Sequence, residues 1–177
     1  MTSLYDDAFG VLTAWIAPDE SQEKTRRTFL EHLAAHPDGM FRECAAGHIT
    51  ASAAVLNAER THVLLTLHKK IKMWLQLGGH CEPSDTALAA AALREATEES
   101  GISGLIIDPF PLQLDRHAVK CHPGGSFHLD VQYLVTAPEG AEIAISEESD
   151  DLRWFRTDDL PETDSVVHSL VRRALAR

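Results

Sequence analysis

An α/β sandwich is the fold class this sequence predicts, because segments of helical and of strand periodicity are interleaved along it rather than segregated. Helical stripes open and close the chain, strand-like runs fill its middle, and an alanine-rich helix interrupts those runs. A length of 177 residues, with 44% hydrophobic and 24% charged content, suits one globular domain with a sizeable core.

Leu4 to Ile16 carries apolar residues at Leu4/Tyr5, Ala8/Phe9, Leu12 and Trp15/Ile16, the stripe of an amphipathic helix. Pro18-Asp19 breaks it, and Asp19 with Gln22 three residues on looks like a capping pair for a second helix that buries Phe29, Leu30 and Leu33. His36-Pro37-Asp38-Gly39 ends that helix. Residues 1–46 are too few for a core of their own, so a helical N-terminal extension of a domain over 47–177 is expected. In that domain HITASAAVLN and HVLLTLHK read as strands around the turn Ala58-Glu59-Arg60, and Trp74 to Leu77 as a short strand ending at Gly78-Gly79.

Ser84 or Asp85 is the expected N-cap of a helix over Thr86 to Ser100, which Gly101 stops. Leu105 to Asp108, Leu112 to Lys120 and Leu152 to Phe155 read as extended. Phe127 to Val135 alternates: Phe127, Leu129, Val131, Tyr133 and Val135 share one face, while His128, Asp130 and Gln132 share the other. Val166, Val167, Leu170, Val171 and Ala174 stripe a C-terminal helix whose Arg172, Arg173 and Arg177 complement its dipole.

Charge narrows the function. With 16 Lys plus Arg against 27 Asp plus Glu, the chain is a poor match to nucleic-acid phosphates. It admits a small anionic substrate only where metal ions or a local basic cluster reverse the field. No apolar stretch approaches the length of a bilayer span, and MTSLYDDAFG lacks the basic-then-apolar order of a secretory signal, so no membrane partner is expected. Cys44, Cys81 and Cys121 are odd in number and spaced as no disulfide framework, the pattern of reduced thiols in a cytoplasmic protein.

Against that acidic balance, LREATEESGI crowds Glu95, Glu98 and Glu99 together. At i, i+3 and i+4 they fall on one helical face, where like charges repel by a few tenths of a kcal/mol per pair. Either the face is merely solvated or something positive sits on it. Three converging carboxylates suit a hard divalent ion; magnesium takes a few carboxylates together with waters and substrate phosphates. Gly78-Gly79, with no side chains in the way, can bring backbone carbonyls to the same ion. Such a site polarises a phosphoryl group and acidifies a bound water, as phosphorus–oxygen cleavage requires.

At this point GGHCEPSDTALAAAALREATEESGI resembles the Nudix box, G-x5-E-x7-R-E-U-x-E-E-x-G-U with U aliphatic. Arg94 to Ile102 fits its second half throughout if Ala96 is taken as a small U. The first half departs: Asp85 stands at the Glu position, and eight residues rather than seven separate it from Arg94. In the family that acid supports the arginine and the loop, which puts the Asp85–Arg94 contact in question, with Glu82 as a substitute.

The resemblance implies a Nudix-type α/β/α sandwich with a mixed central sheet. It implies a hydrolase acting on a nucleoside diphosphate linked to some group X, by water attack at phosphorus with Mg2+ or Mn2+. Gly79, Glu95, Glu98 and Glu99 would ligate the metal, and Arg94 would orient a glutamate or the preceding loop. The family draws its general base from a box glutamate or a later acid, here Glu147 or Glu148; Glu148 joins Arg94, Glu95, Glu98 and Glu99 in the expected catalytic set. Many members dimerise, so a homodimer is one expectation for this chain.

If the polar face of the Phe127–Val135 strand lines the cleft, His128 and Asp130, with His80 and Lys72, are the expected substrate contacts. Trp74 and Trp154 sit at strand positions and read as core. Ten histidines invite a zinc site, above all Cys121-His122 with His117 and His128, but they lack the paired spacing of structural zinc. Cys81 reads as a small loop residue rather than a catalytic thiol. The alternative function is a catalytically silent nucleotide-sensing module of the same fold; such proteins often lose box glutamates, and this chain keeps all three.

Overall fold

The computed structural model describes residues 3–120, 122–147 and 149–177. Helices α1 (Leu4–Ala14) and α2 (Glu20–Ala35) lead into strands β1 (His48–Leu56), β2 (His62–His68), β3 (Trp74–Leu75) and β4 (Leu77–His80). Helix α3 (Leu88–Ser100) follows, then β5 (Ile106–Ile107), β6 (Gln113–Val119), β7 (Ser126–Thr136), β8 (Ser149–Arg156) and α4 (Ser165–Ala176). No helix among the described residues is long and apolar enough to cross a membrane.

The strands form one mixed sheet with β1 at its centre. On one side β1 runs parallel to β7, from His48↔His128 to Leu56↔Thr136. On the other it pairs antiparallel with β4 along its first half, Thr50↔His80 to Ala53↔Leu77, and with β2 at its end. Strand β7 also carries β5 and β6, and β2 carries β3 and β8.

Every residue of β1 is buried, because helices cover both sheet faces. Ile49, Ala51, Ala53 and Val55 pack with Leu129, Val131, Tyr133 and Val135 of β7 beneath α1, α2 and α3. Ala54 and Leu56 pack with Val63, Leu65 and Leu134 beneath Val167, Leu170, Val171 and Ala174 of α4. This is the expected α/β/α sandwich. At the other end of the α4-side face β1 presents His48, Thr50 and Ser52, all buried.

Three expectations need correction. Gly78-Gly79 lies inside β4 rather than after a strand, and Gln76 separates β4 from β3. Asp130 and Gln132 do share a polar face with His128, but they are buried rather than open to a cleft, since β7 lies between β1 and β6 with both faces covered. The third concerns α3, which starts at Leu88 after an Ala87 N-cap that offers no side-chain hydrogen bond. Its orphan N–H groups find a partner elsewhere in the chain: Leu88 N donates to Asp7 Oδ2 of α1 at 2.8 Å.

The N-terminal helices share the main core. Leu12 of α1 and Phe29 and Leu33 of α2 are fully buried, each contributing about 1.5–3 kcal/mol of transfer free energy. Trp15 Nε1 donates to the Pro111 carbonyl at 2.8 Å. Gln22 bridges to β6 through Leu114 N (2.7 Å) and Leu114 O (3.0 Å). Asp19 caps α2 as expected and also accepts from Arg173 of α4 at 2.7 Å.

Because Asp7 acts as a cap supplied from another helix, Asp7→Ala is expected to lower stability by about 1 kcal/mol, or Tm by about 2–4 °C for a domain of this size. Thermal unfolding checks it; Asp7→Asn, which keeps an acceptor, should recover most of the loss.

Candidate active site

The site is built where β4 meets α3. On α3 the buried positions are Leu88, Ala91, Ala92, Ala96 and Ser100, so small side chains let the helix lie close to the sheet. Its next face, carrying Glu95 and Glu99, then meets the β4 backbone. Gly79 is needed for that approach: a Cβ there would lie 2.8 Å from the Glu95 carboxyl carbon and from both its oxygens. Gly78 is needed on the other side, where a Cβ would fall 2.2 Å from Ser52 Cβ, at a φ of +155°. The Gly78 N–H in turn donates to Glu99 Oε2 at 2.9 Å.

Arg94 organises the remainder. Its Nε and Nη2 grip the two Asp85 oxygens, each at 3.0 Å, in a bidentate pair. Nη2 also donates to the His80 carbonyl at 3.0 Å, and Nη1 to Glu95 Oε1 at 3.0 Å and Glu98 Oε2 at 3.1 Å. The extra residue before α3 is therefore absorbed in the loop, where Asp85 N donates to the Glu82 carbonyl and Glu82 N to Asp85 Oδ2. Glu82 does not replace Asp85; its carboxylate stands 3.9 Å from the guanidinium. Asp85 and Glu95 are largely enclosed, with side chains 6% and 14% exposed, whereas Glu98 is 60% exposed.

Beyond β4 the α4-side face of the sheet turns polar. Asp130 accepts from Thr50 at 2.9 Å and Ser52 at 2.6 Å on β1, and from Gln132 at 2.7 Å. Gln76 Nε2 is 3.4 Å from it. Expected at the substrate, Asp130 is occupied instead in joining β1, β7 and the β3–β4 junction. His80 and His128 do come together, with ring centroids 5.0 Å apart, and His48 joins them at 5.0 and 4.9 Å. Sequence reading missed His48, whose nearness to His128 depends on the parallel β1–β7 register. Lys72 is exposed on the β2–β3 turn and pairs with Asp150 of β8 at 2.5 Å rather than with the histidines.

Glu148 and Cys121 lie outside the described residues; the Glu147 carbonyl accepts from Lys69. Trp74 stacks edge-on against Phe155 at 4.7 Å, and Trp154 packs on the main core. Burial pushes the Cys81 thiol up to about 12, as befits an inert residue.

The NUDIX domain model matches residues 47–174. The chain belongs to the Nudix family. Among solved structures, a hydrolase of the NUDIX family from Clostridium perfringens superposes with a TM-score of 0.55 at 27% identity, over 73% of this chain and 95% of that one. A C. elegans Ap4A hydrolase gives 0.57 at 19% identity, over 72% and 95%. A MutT NUDIX hydrolase from Burkholderia pseudomallei gives 0.54 at 21%, over 71% and 95%. No curated protein sequence matches the chain significantly. As an enzyme it is a Nudix hydrolase.

Nudix hydrolases generally use divalent metal ions, and the donors here fit one: hard carboxylate oxygens packed on a backbone with no intervening side chain. Asp85, Glu95 and Glu98 set three carboxylates around one guanidinium, with Glu99 beside them on the Gly78 N–H, leaving a negative excess for a cation to neutralise.

Two kinds of titratable group surround this Nudix site. Burial would push the Asp85 carboxyl up, but the Arg94 fork and the Glu82 N–H outweigh it and hold the group below its ordinary 3.8. On the polar face, burial and then the neighbouring His80 hold His48 down to about 4 and His128 to about 3. Both imidazoles are thus neutral at pH 7.

Arg94→Met leaves Asp85 without its counter-ion and should cost about 3–5 kcal/mol, the scale for breaking one partner out of a buried pair; Asp85→Asn added to it should restore part. Since the Asp85 pKa is depressed in the folded state, its stabilisation is complete above about pH 4 and fades as the pH falls below that. Urea unfolding of wild type and Asp85→Asn between pH 3 and 6 checks this, the variant showing the shallower loss on the acid side.

Proposed function

We propose that this Nudix enzyme hydrolyses a diphosphate linkage in a small nucleoside diphosphate-X substrate by attack of water at phosphorus, with Mg2+ or Mn2+ as cofactor. The products are a nucleoside monophosphate and phosphorylated X. What carries the reading is the convergence of Glu95 and Glu99 on the bare backbone of Gly78-Gly79, with Glu98 joined to them through Arg94.

Glu95, Glu98, Glu99 and the Gly79 carbonyl are the proposed metal ligands. A divalent ion held there supplies Lewis acidity toward phosphoryl oxygens and a water of lowered pKa. Arg94 keeps Glu95 and Glu98 in place, with its other edge fixed by Asp85 and the His80 carbonyl. The proton leaving the attacking water goes to a carboxylate. Glu98, the most open of the three box glutamates that Arg94 and Gly78 hold, is one candidate, and Glu148 on the later loop is the other. His80 and His128 are the proposed substrate contacts, His128 offering the N–H of a neutral imidazole to phosphate oxygens. Lys72 reaches a substrate only by releasing Asp150. The unpaired thiols Cys44 and Cys81 support a cytoplasmic setting.

The test is product release from ADP-ribose, nucleotide sugars, dinucleoside polyphosphates, NADH and modified nucleoside triphosphates. At least one should turn over with Mg2+ or Mn2+, stop on chelation, and fall about 100-fold or more in Glu98→Gln. Nucleotide binding without turnover across the panel would overturn the hydrolase reading in favour of a silent sensor.

A further inference from the structure

We propose that His48, His80 and His128 form a second metal site, for a borderline-soft transition ion of the Zn2+ type, separate from the carboxylates. One ring nitrogen from each lies within 4.8 Å of the other two. They come from three adjacent strands: His48 opposite His128 in the β1–β7 register, and His80 opposite Thr50 in the β1–β4 register. All three side chains therefore stand on the same sheet face.

His48 is the observation that points to a ligand. It is fully buried, yet among the described residues neither ring nitrogen makes a hydrogen bond of ordinary geometry, though the Cys44 backbone favours the ring's charged form. A buried polar group without a partner costs about 1–3 kcal/mol, and packing alone would have been served by an apolar side chain. Clustering three imidazoles is also unfavourable if any of them is protonated. Coordination removes both costs, since neutral imidazole nitrogens are good ligands for Zn2+ and its neighbours.

Tetrahedral geometry with bonds of about 2.1 Å sets ligand nitrogens about 3.4 Å apart, so small side-chain rotations close the site. Three protein ligands leave a fourth position open, the pattern of sites that bind water or substrate rather than purely structural ones. His117 lies 5.3 Å from His128 between ring centroids and is held by Asp115 at 2.7 Å.

A second cluster, His36, Asp38 and Cys44, has similar spacing. Burial raises the Cys44 thiol and disfavours the thiolate a metal needs, so the three-histidine set is the stronger one. The binding claim does not depend on the hydrolytic reading; with the site filled, His80 and His128 meet a substrate through the ion's open fourth position rather than directly. The two connect through the chain, because His80 follows Gly79 and its carbonyl is held by Arg94.

The experiment is Zn2+ and Co2+ titration of the intact chain, by calorimetry and by visible absorption of the Co2+ form. With Mg2+ in large excess to keep the carboxylates occupied, one equivalent is expected at the histidines, with the intense bands of four-coordinate Co2+ and no sulfur charge-transfer band. His128→Gln and His48→Asn should each weaken binding at least 100-fold, beyond the 10–100-fold usual for losing a group that only supports a ligand. Glu98→Gln and His36→Gln should leave it unchanged. His128→Gln is half-buried rather than fully buried, and keeps the test decisive if His48→Asn fails to fold. Binding that survives His128→Gln, an octahedral Co2+ spectrum, or loss of binding in Glu98→Gln or His36→Gln would overturn the proposal.

Discussion

The guanidinium of Arg94 is the contact on which the site's geometry depends. It is one group with five N–H donors, and it spends them on Asp85, the His80 carbonyl, Glu95 and Glu98. Those partners lie on the loop before α3, on β4 and on α3 itself. The fork thus fixes helix, strand and loop relative to one another through a single rigid plane. A lysine at this position would supply the charge without the fork and could not hold Asp85 bidentately.

The glycines complete what the arginine begins. Without a Cβ at Gly79 the helix can bring Glu95 against β4, and without one at Gly78 that strand can lie against Ser52 of β1. The carboxylates are therefore presented on a surface set by close backbone packing, whose tolerance is a fraction of an ångström. The acidic face that the sequence makes conspicuous is partly neutralised by Arg94 and remains negative, the state suited to receiving a cation rather than merely facing water. Support for the helix arrives from a distant segment, since Asp7 of α1 caps it at Leu88.

Much of this was legible in the sequence because it is local. The three glutamates occupy fixed helical spacing, so their shared face follows from 100° per residue. The stripe of α4 and the Asp19 cap were readable on the same grounds. What could not be read depends on pairing across the chain. The alternation of β7 located its apolar residues and its polar face correctly, but Asp130 looked open to a cleft because no periodicity reveals that β1 and β6 flank the strand. His48 sits in an unremarkable run, HITASAAVL, and acquires meaning only from the register that sets it beside His128. The Asp7 cap has a sequence separation of 81 residues, which no capping motif anticipates. The Asp85–Arg94 pair was open for the opposite reason: the altered spacing looked disruptive, and the loop absorbed it.

The polar half of the α4-side face joins the two proposed chemistries. Asp130 ties β1 to β7 with buried hydrogen bonds, and the histidines stand beyond it at the end of the same strands. Hard oxygen donors and borderline nitrogen donors are thus set next to each other, on either side of the Gly79–His80 peptide. The central claim, that the α3 carboxylates and β4 glycines form the hydrolytic metal platform, is tested most directly by Mn2+ titration followed through backbone amide resonances. The account predicts that amides of Gly78, Gly79 and residues 95–99 broaden first and together. Broadening that begins elsewhere, with these amides untouched, would contradict it.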